Sequence, residues 1–166
     1  MKFARIALVA IVLAGGGIAA FFALGGREPA PTVAYTLLDG STRSTDGLKG
    51  KVVLVNFWAT SCTTCMKEMP ALVETHRKFQ GRGFETLSVA MNYDVPAYVA
   101  NYVQSRQLPF QVTHDRSGEI AKQFGQVQIT PTTFVVDKQG RIVKRYVGEP
   151  DFQQLHALLE ELLVKA

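Results

Sequence analysis

Cysteine is scarce in this chain: two in 166 residues, Cys62 and Cys65. So low a count excludes a small scaffold stapled by several disulfides. The three histidines, His76, His114 and His156, form no ligand pair, so a structural zinc site falls short of its four ligands. Acidic residues are absent before Glu28, and charge of either sign is absent from Ile6 to Gly26. No internal repeat or low-complexity run is present, and with 47% hydrophobic against 19% charged residues the chain is apolar enough to bury a core.

The uncharged run of 21 residues from Ile6 is long enough, at about 1.5 Å per residue, to cross a hydrocarbon layer of about 30 Å. A cleaved secretory signal is the alternative, with Gly17-Ile18-Ala19 as a small-x-small site, but such apolar regions normally span only about 7–15 residues. Here the run continues to Leu24, which favours a retained transmembrane helix over 1–26. No cysteine lies within it to carry a lipid. Lys2 and Arg5 precede the span and, by the positive-inside tendency, send the remainder out of the cytoplasm. Residues 27–32, REPAPT, read as an extended linker, and 33–166 as one domain. From Glu28 onward the balance is 15 basic against 14 acidic side chains, so the formal net charge of +4 belongs mostly to the anchor flanks. Nucleic acid is thereby excluded as a partner.

Within the domain, Lys51 to Ala59 (KVVLVNFWA) is a β-branched and aromatic run of the kind that forms a buried central strand, with Asn56 its one polar interior position. Apolar residues at helical spacing follow from Cys62 to Phe79, with Pro70 inside, where it predicts a kink. Phe84 to Met91 reads as a strand, Val95 to Gln107 as a helix, 108–112 as a short strand and 118–124 as a helix. Thr132 to Asp137 and Arg141 to Val147 predict an antiparallel hairpin turning at Gly140. Asp151 is placed to N-cap a closing amphipathic helix to Val164. The order predicts an α/β domain with a mixed sheet and helices on both faces.

Cys62-Thr63-Thr64-Cys65 stands between the central strand and its helix. At a helix N-terminus, backbone N–H groups stabilise a thiolate, and Cys62, the outer residue, gains most. Cys65, about a turn further in, is placed to attack a mixed disulfide formed at Cys62. A static bridge is the alternative, although so short a loop removes little entropy from the unfolded chain. Met66, not His, follows Cys65, so the c-type haem attachment pattern is absent.

The run VNFWATSCTTCMKEMP from Val55 to Pro70, with ITPTTFVVD from Ile129 to Asp137, resembles the thioredoxin superfamily. More narrowly it is similar to the membrane-anchored TlpA/ResA/CcmG branch. The resemblance implies a thioredoxin fold and an extracytoplasmic thiol–disulfide oxidoreductase with no cofactor beyond the Cys62–Cys65 redox pair. It implies Cys62 as attacking and Cys65 as resolving thiol, a cis Thr130–Pro131 bond, and a Thr130 backbone open to an extended substrate. It further implies that Glu68 assists proton transfer, the bland alternative being a solvated Glu offsetting Lys67. Asn56 stands where cytoplasmic thioredoxins carry a buried Asp and cannot take up a proton as Asp does. Trp58 is assigned to the site's rim or to plain core. His76 and His114 are expected at the surface or in loops. Ser61 and Thr64 depart from the Trp and Pro usual around such cysteines. The implied partners are exported cysteine-containing clients, apocytochrome c among them, and a transmembrane electron donor of the DsbD/CcdA kind. Two rivals remain: a Cu(I)-handling or redox-sensing module using the same thiolates, and a peroxiredoxin-like peroxidase. The latter requires Pro and Thr or Ser where Val55 and Ala59 stand.

Overall fold

The computed structural model describes residues 27–165; the expected transmembrane helix over 1–26 lies outside them. The domain's core is a five-stranded sheet in the order β5-β4-β3-β6-β7. Its strands are β3 (Val52–Trp58), β4 (Phe84–Ala90), β5 (Gln111–His114), β6 (Thr132–Val136) and β7 (Ile142–Val147). Two short antiparallel strands, β1 (Ala34–Thr36) and β2 (Thr42–Ser44), precede it. β3, β4 and β5 run parallel, while β6 and β7 are antiparallel additions on the other side of β3.

All seven residues of β3 are buried, as its unbroken apolar run requires of a strand covered on both faces. Because side chains alternate, the two faces build separate clusters. Val52, Leu54 and Trp58 pack with α1 (Thr63–Phe79), α2 (Pro96–Arg106) and α4 (Phe152–Val164), through Met69, Leu72, Val99, Leu155 and Leu159. Val53, Val55 and Phe57 face the opposite way, onto Tyr35, Leu48 and the short helix α3 (Glu119–Gln123). Helices therefore cover both faces of a mixed sheet, as expected. Asn56 falls on the α1 face and is the one polar group β3 sends toward that helix.

Several elements differ from expectation. β1 and β2 are three residues each, too short for any alternation to mark them. β5 begins three residues later than predicted, after Pro109 and Phe110. α1 is continuous from Thr63 to Phe79 with Pro70 inside it, where the sequence placed it. The segment 27–32, expected as an extended linker, is laid along the domain: Ile142 N–H donates to the Glu28 carbonyl at 2.8 Å, Ala30 N–H to the Gly140 carbonyl at 2.8 Å, and Arg27 pairs with Asp137 at 3.6 Å. Proline is tolerated there because the segment makes only an isolated bridge, Pro29 to Arg141, at a sheet edge. The N-cap of α3 is Gly118, which has no side chain to cap with, and buried Asp115 accepts from the N–H groups of Ile120 and Ala121 at 3.2 and 2.8 Å. Asp151 caps α4 as expected, accepting from Gln154 N–H at 3.0 Å.

Candidate active site

β3 ends at Trp58, and the chain turns within four residues to start α1. Cys62 is the N-cap residue, its extended backbone leading into the helix and its sulfur accepting from the Cys65 N–H at 3.1 Å. The two cysteines form a disulfide with their Cα atoms 5.2 Å apart. They are not equivalent: Cys62 is half-buried and Cys65 has no exposed area. Ser61, Thr63 and Thr64 around them are exposed, so the outer sulfur is flanked in sequence by exposed polar side chains.

One turn beyond Cys65, Glu68 points inward and is only 1% exposed. Its Oε1 accepts from Asn56 Nδ2 at 3.1 Å, and the same amide donates to Thr133 Oγ1 at 2.9 Å. Glu68 Oε2 and Asn56 Oδ1 have no partner. Burial pushes the Glu68 carboxyl up to about 7, the Asn56 bond holds it down in part, and the charge of Glu149 adds to the rise. Glu149 is itself paired with exposed Lys67 at 2.8 Å. The result is a buried acid one turn from the inner sulfur that changes protonation near neutral pH. It is not the solvated glutamate of the alternative reading.

The Thr130–Pro131 bond is cis, as the resemblance implied. Pro131 is buried and its carbonyl accepts from Gly148 N–H at 2.8 Å, while no backbone bond outside the described helices and strands involves Thr130. Ile129 beside it is 62% exposed. Trp58 is placed behind the site: it has no exposed area, its ring lies 5.4 Å from that of Tyr102, and its indole N–H has no partner. It offers no surface to a client.

The expectation for two histidines is corrected. His76 is buried, bonded to Thr86 Oγ1 at 3.1 Å and packed edge-on against Phe110, and burial pushes its imidazole down. His114 lies in β5, half-buried, with neither ring nitrogen hydrogen-bonded. Neither contributes to the cysteine site. Thr60, inside the cysteine motif but given no role by it, is held by Asp94, which lies outside both motifs beside Tyr93: Asp94 accepts from the Thr60 N–H and hydroxyl at 2.5 and 2.6 Å. Among the described residues no group of three or more His, Cys, Asp or Glu is arranged to hold a metal ion.

The Redoxin family model matches residues 26–159. The chain is 35% identical over 137 residues to the thiol-disulfide oxidoreductase ResA of Bacillus thuringiensis subsp. konkukian, covering 82% of this chain and 78% of that protein. It is 30% identical over 127 residues to ResA of Bacillus subtilis, covering 76% and 70%. Among solved structures, a thiol:disulfide interchange protein of the thioredoxin family from Chlorobium tepidum superposes with a TM-score of 0.75 at 28% identity, over 82% of this chain and 97% of that one.

Proposed function

The chain belongs to the Redoxin family, and from that premise we propose that its Cys62/Cys65 pair reduces disulfides in exported client proteins. It is a thiol–disulfide oxidoreductase of the ResA-like kind, on a thioredoxin fold. The observation that carries the direction of attack is the unequal exposure of the two sulfurs. In the reduced protein Cys62, at the surface and on a helix N-terminus, is the thiolate that attacks one sulfur of the client disulfide, releasing the other as a thiolate. A mixed disulfide with Cys62 results. Buried Cys65 then gives its proton to the Glu68 carboxylate and attacks Cys62, which frees the reduced client and restores the disulfide of the resting protein. Glu68 is suited to the task because an acid near 7 can both take and return a proton at neutral pH. The Thr130 backbone, beside Pro131, receives an extended client segment by strand-like pairing.

The domain works outside the cytoplasmic membrane, tethered by residues 1–26, with electrons delivered by a transmembrane thiol carrier of the DsbD/CcdA kind and apocytochrome c among its clients. Replacing Cys65 with Ser is the test. Covalent client adducts should accumulate through Cys62, whereas Cys62→Ser should accumulate none. Adducts through Cys65 would reverse the roles, and stoichiometric Cu(I) uptake without any disulfide reduction would replace the reading by a copper-handling one.

A further inference from the structure

One short loop, residues 91–95 between β4 and α2, is bonded both to the turn before Cys62 and to Thr130. Asp94 is 7% exposed and turns inward. Besides the two bonds from Thr60, it accepts from the Val95 N–H at 2.9 Å. Thr60 stands two residues before Cys62, in the turn that Cys62 N–H closes onto the Ala59 carbonyl at 3.1 Å. Tyr93, the neighbouring residue, turns outward: its ring is 55% exposed, and its hydroxyl lies 3.1 Å from Thr130 Oγ1. The loop is held from below as well. Met91 N–H donates to the Trp58 carbonyl at 2.9 Å, and Asn92 sits so close to Gly118 that a Cβ there would come within 3.0 Å of the Asn92 amide.

Thiol exchange itself has no use for this carboxylate, since a negative charge near a nucleophilic sulfur disfavours the thiolate. Its three short bonds serve position instead, being charge-assisted and largely removed from water. An exposed aromatic ring tied by its hydroxyl is likewise restrained in a way that free solvent exposure does not explain. We propose that residues 91–95 are a clasp across the active site, in which Asp94 fixes the turn into Cys62 and Tyr93 fixes Thr130. Both are positioning residues that set the span between the attacking sulfur and the backbone that receives the client. This rests on the client-reductase reading and specifies how that site is held together. A polypeptide disulfide must meet both ends of the span at once, so misplacement of either is felt in its reaction. A small disulfide meets only the sulfur.

The full-length reduced chain is assayed with two probes, a synthetic peptide closed by one disulfide and dithiobis-nitrobenzoate. Tyr93→Phe keeps the ring and removes the bond; kcat/KM for the peptide should fall about three- to tenfold, mainly through KM, and by less for the small disulfide. Thr130→Val should give a similar loss, and the double variant no more than either alone. Equal losses with both probes, or losses that add, would overturn the Tyr93 arm. Asp94→Asn sets its NH2 group against either the Thr60 N–H or the Val95 N–H and should slow both probes, because the Cys62 turn itself shifts. Thr60→Val, which removes the 2.6 Å bond from the other partner, should do the same to a smaller degree. Unchanged rates in both of these variants would overturn the Asp94 arm. A wild-type chain that reduces neither probe would instead sink the reductase reading.

Discussion

Replacing Glu68 with Gln isolates what it costs to keep a carboxylate in the interior of this domain. The side chain is 1% exposed, one oxygen accepts from Asn56 at 3.1 Å, and the other has no partner. Burial is the main reason the group rises from its ordinary 4.5 to about 7. At about 1.4 kcal/mol for each pH unit, that rise corresponds to about 3 kcal/mol. Between 4.5 and 7 the folded protein holds a proton that the unfolded chain has already lost. Stability therefore falls as pH rises through that window, and above it the penalty is present in full. Gln has nearly the same volume, still offers an oxygen to the Asn56 amide, and has no charge to bury. The variant's stability advantage should thus be least near pH 4 and widen by about 3 kcal/mol toward pH 8. Urea unfolding of the two oxidised proteins across that range measures the gap, and every other titrating group cancels between them. A gap independent of pH would refute the claim that Glu68 is held charged in the interior above neutrality. Turnover should move the opposite way: the variant, more stable at pH 8, has no carboxylate to receive the Cys65 proton and resolves mixed disulfides more slowly.

Asn56→Val removes the one bond that holds the Glu68 carboxyl down and strands the Thr133 hydroxyl, so the alkaline rise in turnover should move to higher pH. A stability loss of about 1–3 kcal/mol should accompany it, and an unmoved pH–rate profile would contradict the assigned network. Asp137, buried, accepts from the N–H groups of Gln139 and Arg141 at 3.0 and 2.9 Å and from Arg141 Nε at 3.0 Å. Asp137→Asn leaves the hairpin turn without its charged acceptor and should lower stability by about 1.5–3 kcal/mol in chemical unfolding. A loss below half a kcal/mol would show that the turn holds without the charge.

The unit that carries the chemistry was legible because its signals are local. The apolar run of β3, the polar break at Thr60 and Ser61, and the helical spacing from Met66 to Phe79 place the cysteine pair at a helix start without any tertiary knowledge. His76 shows how residue type can mislead where spacing does not. With Met69, Leu72 and Phe79 it completes a stripe at intervals of three and four, and the structure buries all four. A polar side chain on that stripe finds its partner, Thr86, on the neighbouring strand β4. The docking of residues 27–32 was hidden for a different reason, since Pro and Ala lack a period whether a segment is free or paired at an edge. Tyr93 and Asp94 were invisible because their partners lie 37 and 34 residues away, on loops whose approach depends on the whole sheet.

In the proposed cycle these contacts divide the labour between the two sulfurs. Cys62 needs access and a favourable field for its charge, which the helix N-terminus supplies at the surface. In the proposed cycle Cys65 needs the reverse: shelter from outside thiols, and a base able to take its proton at neutral pH. A carboxylate at its ordinary acidity would be too weak a base at neutral pH, and one with no bond at all would stay protonated and accept nothing. Glu68 lies between these limits because Asn56 supplies one hydrogen bond where the carboxylate could use more, leaving Oε2 unpaired. An Asp in place of Asn56 would set a second carboxylate against the first and drive one of them neutral. In the proposed cycle the amide thus keeps the proton on a single residue, one turn from the sulfur assigned to release it.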